Sequence, residues 1–117
     1  MSAGHEHPVD VSDLQPGTVR GVRLDGMAVA LVNVDGRIHA LHDQCTHMKS
    51  RLSSGYLEGA VLVCPAHFGG FDVASGAAVA RPCRLPVRTF PVRHEGTTAW
   101  VRIAEGEQLT PQRCSSP

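Results

Sequence analysis

Two short motifs carry the residues of this chain whose types and spacing could bind a metal. The first is Cys45-Thr46-His47, the second is Cys64-Pro65-Ala66-His67, and sixteen residues separate His47 from Cys64. Thiolates and imidazoles are the ligands that zinc and iron–sulfur centres take from proteins. Each motif therefore brings one sulfur and one nitrogen ligand to a common metal site.

The order of the ligands distinguishes two kinds of metal site. A structural zinc site of two Cys and two His usually takes its cysteines from one loop and its histidines from another. Here each motif mixes the two types, which favours a 2Fe–2S cluster in which two His replace two Cys on one iron. Neutral imidazoles on one iron make the irons unequal and raise the reduction potential above that of an all-Cys cluster. A zinc-bound structural or regulatory module remains the alternative at this point.

Composition limits the class of protein. The 117 residues suit one domain, and 42% of them are hydrophobic. No apolar run approaches the length of a membrane span, and the N-terminus has no signal-peptide pattern, so we expect a cytoplasmic protein with no membrane partner. Zero net charge, few aromatic residues and no Lys/Arg run argue against nucleic-acid binding.

The charges are unevenly spread along this neutral chain. Residues 1–43 hold six acidic and three basic side chains, whereas residues 44–103 hold three acidic side chains and seven basic ones. The basic side chains are Lys49, Arg51, Arg81, Arg84, Arg88, Arg93 and Arg102. They are either scattered solvated residues or a docking face for an acidic partner.

Short apolar runs separated by turns predict an all-β protein. The expected strands are Thr18–Leu24, Met27–Val34, Arg37–Leu41, Ala60–Val63, Gly70–Val73, Ala77–Val79, Val87–Val92 and Thr97–Ile103. Asp25-Gly26 and Asp35-Gly36 are strong hairpin signals. No segment has a helical period, and Leu52–Tyr56 could hold one turn at most.

The two motifs and their surroundings resemble the Rieske ferredoxin family from about Val9 to Ile103. Besides the two ligand boxes, three further stretches match: Leu52-Ser53-Ser54-Gly55, Phe71-Asp72-Val73-Ala74-Ser75-Gly76, and Arg81-Pro82-Cys83-Arg84-Leu85-Pro86, which is similar to the family's proline loop. The resemblance implies an antiparallel β-sandwich of three sheets with a cluster-binding subdomain. It also implies that Cys45 and Cys64 hold the inner iron and that His47 and His67 hold the outer iron.

The resemblance also implies a function. We expect a soluble one-electron carrier, without catalytic activity of its own, that takes electrons from a flavin-dependent ferredoxin reductase and passes them to a terminal Rieske-type oxygenase. We expect it to act as a monomer. A small subunit of a multi-component reductase, such as a nitrite-reductase-like assembly, is the alternative that keeps the cluster.

Departures from the high-potential members of the family indicate a low reduction potential. Ser50 and Ala66 stand where those proteins have a disulfide, so that bond cannot form. Gly69 and Phe71 stand where those proteins have hydroxyl donors to the cluster sulfurs. Without these donors the reduced cluster is less stabilised, and we expect a potential near the bottom of the Rieske range, about −150 mV.

The expected organisation is a flexible N-terminus over 1–8, one domain over 9–103 and a flexible tail over 104–117. The cluster-binding subdomain is expected over approximately 43–84. Outside the ligand set we expect His5 and His7 to be solvated and Trp100 to anchor the core. Cys83 is expected to lie near the cluster, and Cys114 to be a tail thiol.

Overall fold

The protein folds into short β-strands arranged in three sheets. A computed structural model describes residues 4–45, 50–65, 69–80 and 85–104. The strands are β1 (Gly4–Asp10), β2 (Val19–Leu24), β3 (Met27–Val34), β4 (Arg37–His42), β5 (Tyr56–Glu58), β6 (Val61–Val63), β7 (Gly70–Asp72), β8 (Ala78–Ala80), β9 (Thr89–Phe90), β10 (Val92–Glu95) and β11 (Thr98–Ala104). One 3₁₀ turn, Leu52–Ser54, lies between β4 and β5, which confirms that this segment holds a single turn.

All pairings among the described strands are antiparallel, which confirms the all-β prediction. The outer sheet has the order β1-β11-β10, the central sheet β2-β3-β4-β9, and the third sheet β5-β6-β7-β8.

The central sheet is buried on both faces. In β3, Val29 and Leu31 pack into a core shared with Val101 of the outer sheet. Ala30 and Val32 point the other way, into a second core that contains Phe71 of the third sheet. This two-sided burial explains why Met27–Val34 is almost continuously apolar instead of alternating.

Both predicted hairpins of the central sheet form. Asp25 and Gly26 have φ of 52° and 79°, and Asp35 and Gly36 have φ of 52° and 91°. Positive φ at both central residues defines the turn type whose twist matches that of the flanking strands. The Asp-Gly pairs therefore fixed the registers of β2 against β3 and of β3 against β4.

Between β4 and β11, one predicted strand has the wrong bounds and one strand was missed. The run Val87–Val92 is two strands, since β9 pairs with β4 in the central sheet and β10 pairs with β11 in the outer sheet. The chain changes sheets at Pro91, which has no N–H to continue a ladder. The missed strand is β5, Tyr56–Glu58, which is only three residues long and is defined by its pairing with β6.

The N-terminus also differs from the sequence prediction. Residues 4–10, most of which were expected to be flexible, form β1 and pair with β11 along their whole length. The strand tolerates Pro8 because β1 lies at the edge of the outer sheet. The paired residues lie between 88 and 100 positions apart in sequence, so no local pattern reveals the pairing. The C-terminal tail after residue 104 lies outside the described residues.

The predicted site lies within an excursion from the central sheet. Strands β4 and β9 are neighbours, with Ala40 opposite Phe90 and Leu41 opposite Thr89. The described residues between 43 and 88 lie outside the ladders of the central sheet. The excursion contains the 3₁₀ turn and the whole third sheet. Within the described ranges, no helix has the length and apolar character needed to cross a membrane.

Candidate metal centre

Both cysteines of the predicted ligand set lie at the ends of strands and inside the core. Cys45 follows β4 after two residues, and Cys64 follows β6 directly. Their side chains are 3% and 1% exposed, and both belong to one apolar cluster with Leu52, Leu62 and Phe71. Two strands from different sheets thus deliver two thiols to the same buried region.

Each cysteine begins a loop that closes on itself in the same way. The Cys45 N–H donates to the Ser50 carbonyl at 2.9 Å, and the Cys64 N–H donates to the Gly69 carbonyl at 2.7 Å. Both hydrogen bonds span five residues, so the loops 45–50 and 64–69 have matching bases. His47 and His67 belong to these loops but lie outside the described residues, as do Met48 and Phe68.

The flanks of the two loops are held differently. Val63 and Gly70, on either side of the second loop, are opposite each other in the β6–β7 ladder. The first loop is flanked by Asp43, which is 5% exposed, and by Ser53 of the 3₁₀ turn. The Asp43 carboxylate accepts hydrogen bonds from the Ser53 N–H at 2.7 Å and from the Ser53 hydroxyl at 2.6 Å.

A close backbone approach sets the position of the second cysteine. At Gly55, a Cβ atom would lie 1.8 Å from the carbonyl oxygen of Val63, the residue before Cys64. Only a glycine leaves room for that carbonyl. The motif Leu52-Ser53-Ser54-Gly55 therefore matters for packing of the ligand loops as well as for the local turn.

The donor set and its surroundings fit an iron–sulfur cluster. Two thiols converge in an apolar, buried cradle, and two imidazoles lie in the same two loops of the sequence. Gly69 and Phe71 are both buried, and neither residue has a side-chain hydroxyl. Those two positions supply no side-chain hydrogen bond to a cluster sulfur.

The basic side chains do not all lie near the ligand loops. Arg93 and Arg102 belong to the outer sheet, which carries neither cysteine. Arg93 pairs with Glu6 at 2.9 Å and with Glu95, and these hydrogen bonds raise the pKa of its guanidinium. Arg51 is exposed and directly follows the first ligand loop. Arg88 is also exposed, and its carbonyl accepts a hydrogen bond from the His42 N–H at the end of β4. Lys49, Arg81 and Arg84 lie outside the described residues.

The structure places Trp100, His5 and His7 differently from the sequence prediction. Trp100 was expected to anchor the core, but it points away from the buried neighbours Ala99 and Val101. The Arg93 guanidinium covers its ring at 5.0 Å from the centroid. His5 and His7 were expected in a mobile end and instead lie in β1, where the Nε2 atom of His7 is buried without a hydrogen-bond partner. Cys83 and Cys114 lie outside the described residues.

The described residues also form an open cleft of about 810 Å³ that contains neither cysteine. It lies between β4, β10 and the turn after β7, and its lining includes Ile38, His39, Phe90 and His94. Burial, followed by the nearby Arg37, lowers the pKa of His39. Hydrogen bonds from Ser75 lower the pKa of Asp72 in the adjacent turn.

Comparison with known protein families identifies the arrangement. The model of the Rieske [2Fe-2S] domain matches residues 7–91, which include both motifs. The ferredoxin component of the naphthalene 1,2-dioxygenase system of Pseudomonas putida is 40% identical over 96 residues, which are 82% of this chain and 92% of that protein.

Solved structures give the same result for the fold. The ferredoxin of carbazole 1,9a-dioxygenase from Nocardioides aromaticivorans IC177 superposes with a TM-score of 0.76 at 31% identity, over 86% of this chain and 96% of that one. A chain in the complex of reduced oxygenase and oxidised ferredoxin in carbazole 1,9a-dioxygenase superposes with a TM-score of 0.74 at 38% identity. The match covers 79% of this chain and 95% of that one. The predicted three-sheet antiparallel fold is thereby confirmed.

Proposed function

Because the chain belongs to the Rieske [2Fe-2S] domain family, we propose that it is the electron-carrying ferredoxin of an aromatic-ring dioxygenase system. The protein carries one Rieske-type 2Fe–2S cluster, which when bound stores and releases one electron. The observation that carries the proposal is likeness over nearly the whole length of a dedicated ferredoxin, 92% of the naphthalene system's component.

The proposed ligands are Cys45 and Cys64 for one iron and His47 and His67 for the other. Burial of both cysteines supports the thiolate pair as the inner ligands, since the apolar cluster keeps water away from the sulfur atoms. The matching loop bases support a pairwise arrangement in which each loop contributes one residue to each iron. We further propose a low reduction potential, because Gly69 and Phe71 offer no hydroxyl to the cluster sulfurs.

The proposed partners are a flavin-dependent reductase as donor and a terminal oxygenase as acceptor. A terminal oxygenase is supported by the complex in the carbazole system, where a ferredoxin of this fold binds its oxygenase. One carrier must meet both partners in turn, so we propose that it works as a monomer with the loop end free. We propose a cytoplasmic location, where thiols stay reduced and available as ligands.

The first test is anaerobic purification followed by iron and acid-labile sulfide analysis and an EPR spectrum after dithionite reduction. Two irons, two sulfides and a rhombic signal with an average g below the free-electron value are expected. Cys45→Ser and Cys64→Ser should abolish cluster assembly, whereas Cys114→Ser, in the tail, should leave it intact. Stoichiometric zinc after reconstitution with iron and sulfide would contradict the proposal, and a His67→Ala variant with an unchanged spectrum would contradict the ligand assignment.

The second test measures electron transfer. The protein is mixed with NADH and the flavoprotein reductase of a naphthalene-type system, and reduction is followed by the loss of visible absorbance. Reoxidation is then followed on addition of the matching terminal oxygenase. Reduction without reoxidation by any dioxygenase of the class would contradict the proposed acceptor while leaving the cluster assignment intact.

A further inference from the structure

The two ligand loops differ in how their flanks are joined. The second loop, 64–69, closes a β-hairpin, so the backbone ladder that pairs Val63 with Gly70 continues directly below its base. The first loop, 45–50, begins after β4 and ends before the 3₁₀ turn. In the described ranges no strand pairing joins these two flanks.

A side-chain bridge takes the place of the missing ladder. Both oxygens of the Asp43 carboxylate accept hydrogen bonds from Ser53, one from its N–H and one from its hydroxyl. The Asp43 N–H donates to the Ala28 carbonyl at 2.9 Å, which ties the bridge to β3. Position 43 lies two residues before the Cys45–Ser50 hydrogen bond, and position 53 lies three residues after it. The bridge therefore clamps the base of the first loop from outside.

The backbone of β2 covers this bridge. A Cβ atom at Gly21 would lie 2.7 Å from the Ser53 hydroxyl and 2.9 Å from an Asp43 carboxylate oxygen. The glycine lets β2 close over the pair, and Asp43 is left 5% exposed. A charge-assisted hydrogen bond in such a sheltered place is stronger than one in water, and leaving the Ser53 N–H without an acceptor there is costly.

We infer that Asp43 is a positioning residue for the cluster: it holds the first ligand loop in the geometry that the β6–β7 ladder gives the second. This inference rests on the proposed assignment of Cys45 and His47 as ligands. The bridge acts on the loop that carries both of them, so its loss should loosen one ligand pair while the other stays fixed. We therefore expect the two ligand pairs to respond unequally. Iron release should be faster, and the EPR g values should be more broadly distributed.

The experiment compares three variants of the cluster-loaded protein. Asp43→Ala removes the bridge. Asp43→Asn keeps an acceptor for the Ser53 N–H and a polar partner for its hydroxyl, so it should rescue the loop. Asn33→Ala is the matched control, because Asn33 is also buried, at 7% exposure, and also makes two hydrogen bonds, to the Leu14 carbonyl and from the Gly36 N–H. Those contacts hold a turn of the central sheet and touch neither ligand loop.

The readouts are iron release to a chelator, the EPR line shape of the reduced protein, and hydrogen–deuterium exchange of peptides covering 43–53 and 62–70. Asp43→Ala should accelerate iron release about tenfold, which corresponds to about 1.4 kcal/mol in the activation free energy, and should raise exchange in 43–53 only. Asp43→Asn should stay close to the wild type in all three. Asn33→Ala should lower the unfolding temperature without changing the EPR line shape.

Each failure has a distinct meaning. A wild-type protein without a 2Fe–2S signal would overturn the proposed function itself. If the wild type has a normal 2Fe–2S signal, unchanged iron release and an unchanged EPR line shape in Asp43→Ala would overturn the positioning role alone. The same conclusion would follow if Asn33→Ala accelerated iron release as much as Asp43→Ala. Failure of Asp43→Asn to rescue would overturn positioning by hydrogen bonds. If Asp43→Ala does not fold, Ser53→Ala removes only the hydroxyl contact and should shift release and line shape in the same direction by less.

Discussion

Gly55→Ala tests whether the close backbone approach before Cys64 is required. The added Cβ would lie 1.8 Å from the Val63 carbonyl oxygen, and real contacts of this kind essentially never fall below 3.0 Å. The two segments must therefore separate by at least about 1.2 Å, the difference between these distances. The atom in the way is backbone, so no side-chain rotation can relieve the overlap.

The cost follows from what holds Val63. It lies opposite Tyr56 in one ladder and opposite Gly70 in another, so displacement weakens both. Losing about two hydrogen bonds at about 1 kcal/mol each, with about 1 kcal/mol for overpacking, gives a destabilisation of about 3 kcal/mol. For a domain of this size we expect a fall in Tm of about 12 °C. Because Val63 precedes Cys64, we also expect less iron and sulfide per chain.

The assay is thermal unfolding of the anaerobically purified protein, with iron and sulfide analysis of the same sample. Gly17→Ala is the control. Gly17 has a φ of +83°, but no heavy atom lies within 4 Å of the position of its Cβ, so the control pays only the backbone cost, about 1–2 kcal/mol. Gly55 has a negative φ of −88°, so Gly55→Ala is destabilised by the steric overlap and not by a left-handed backbone conformation. A Gly55→Ala protein with wild-type Tm and full cluster content would refute this reasoning.

Three further predictions follow from other described contacts. Gly76→Ala combines a φ of +80° with a Cβ 2.1 Å from the Val87 carbonyl, so its Tm should fall further than that of Gly17→Ala; equal Tm values would contradict this. Phe71→Ala should cost about 3–5 kcal/mol and lower the cluster content, because this fully buried ring packs in the same apolar cluster as both cysteines; urea unfolding and iron analysis measure this. Burial lowers the pKa of His39, so below about pH 6.5 the unfolded chain takes up a proton that the folded chain resists, and Tm should fall between about pH 7.5 and about pH 5.5. His39→Gln should lack this part of the decrease, and an unchanged pH profile would count against it.

The sequence determined the chemistry and much of the central sheet. Ligand types and their order indicated an iron–sulfur centre because sulfur and nitrogen donors are a property of residue identity. The two Asp-Gly turns fixed the β2–β3 and β3–β4 hairpins because few other dipeptides take positive φ at both positions. These signals act within a few residues, so they can be read from the sequence alone.

Tertiary structure decided the pairings between distant segments. Strand β1 is polar and contains Pro8, and it is a strand only because β11 offers a partner between 88 and 100 positions away in sequence. The run Val87–Val92 looks like one strand in the sequence, and only the positions of β4 and β11 show that it is divided between two sheets. Trp100 lies on the outward face of β11 because burial follows the side of the sheet rather than side-chain size.

The candidate site shows the same division. Sequence alone singled out the four proposed ligands, but it assigned no role to Asp43 or Gly21. In the sequence, an aspartate two residues before a cysteine looks like an ordinary turn residue. A glycine within a predicted strand looks like a weak strand position. Folding brings β2, the end of β4 and the 3₁₀ turn together, and only then do the carboxylate, the Ser53 donors and the covering glycine form one unit. Hydrogen bonds between segments depend on distances that the chain acquires only when its sheets pack.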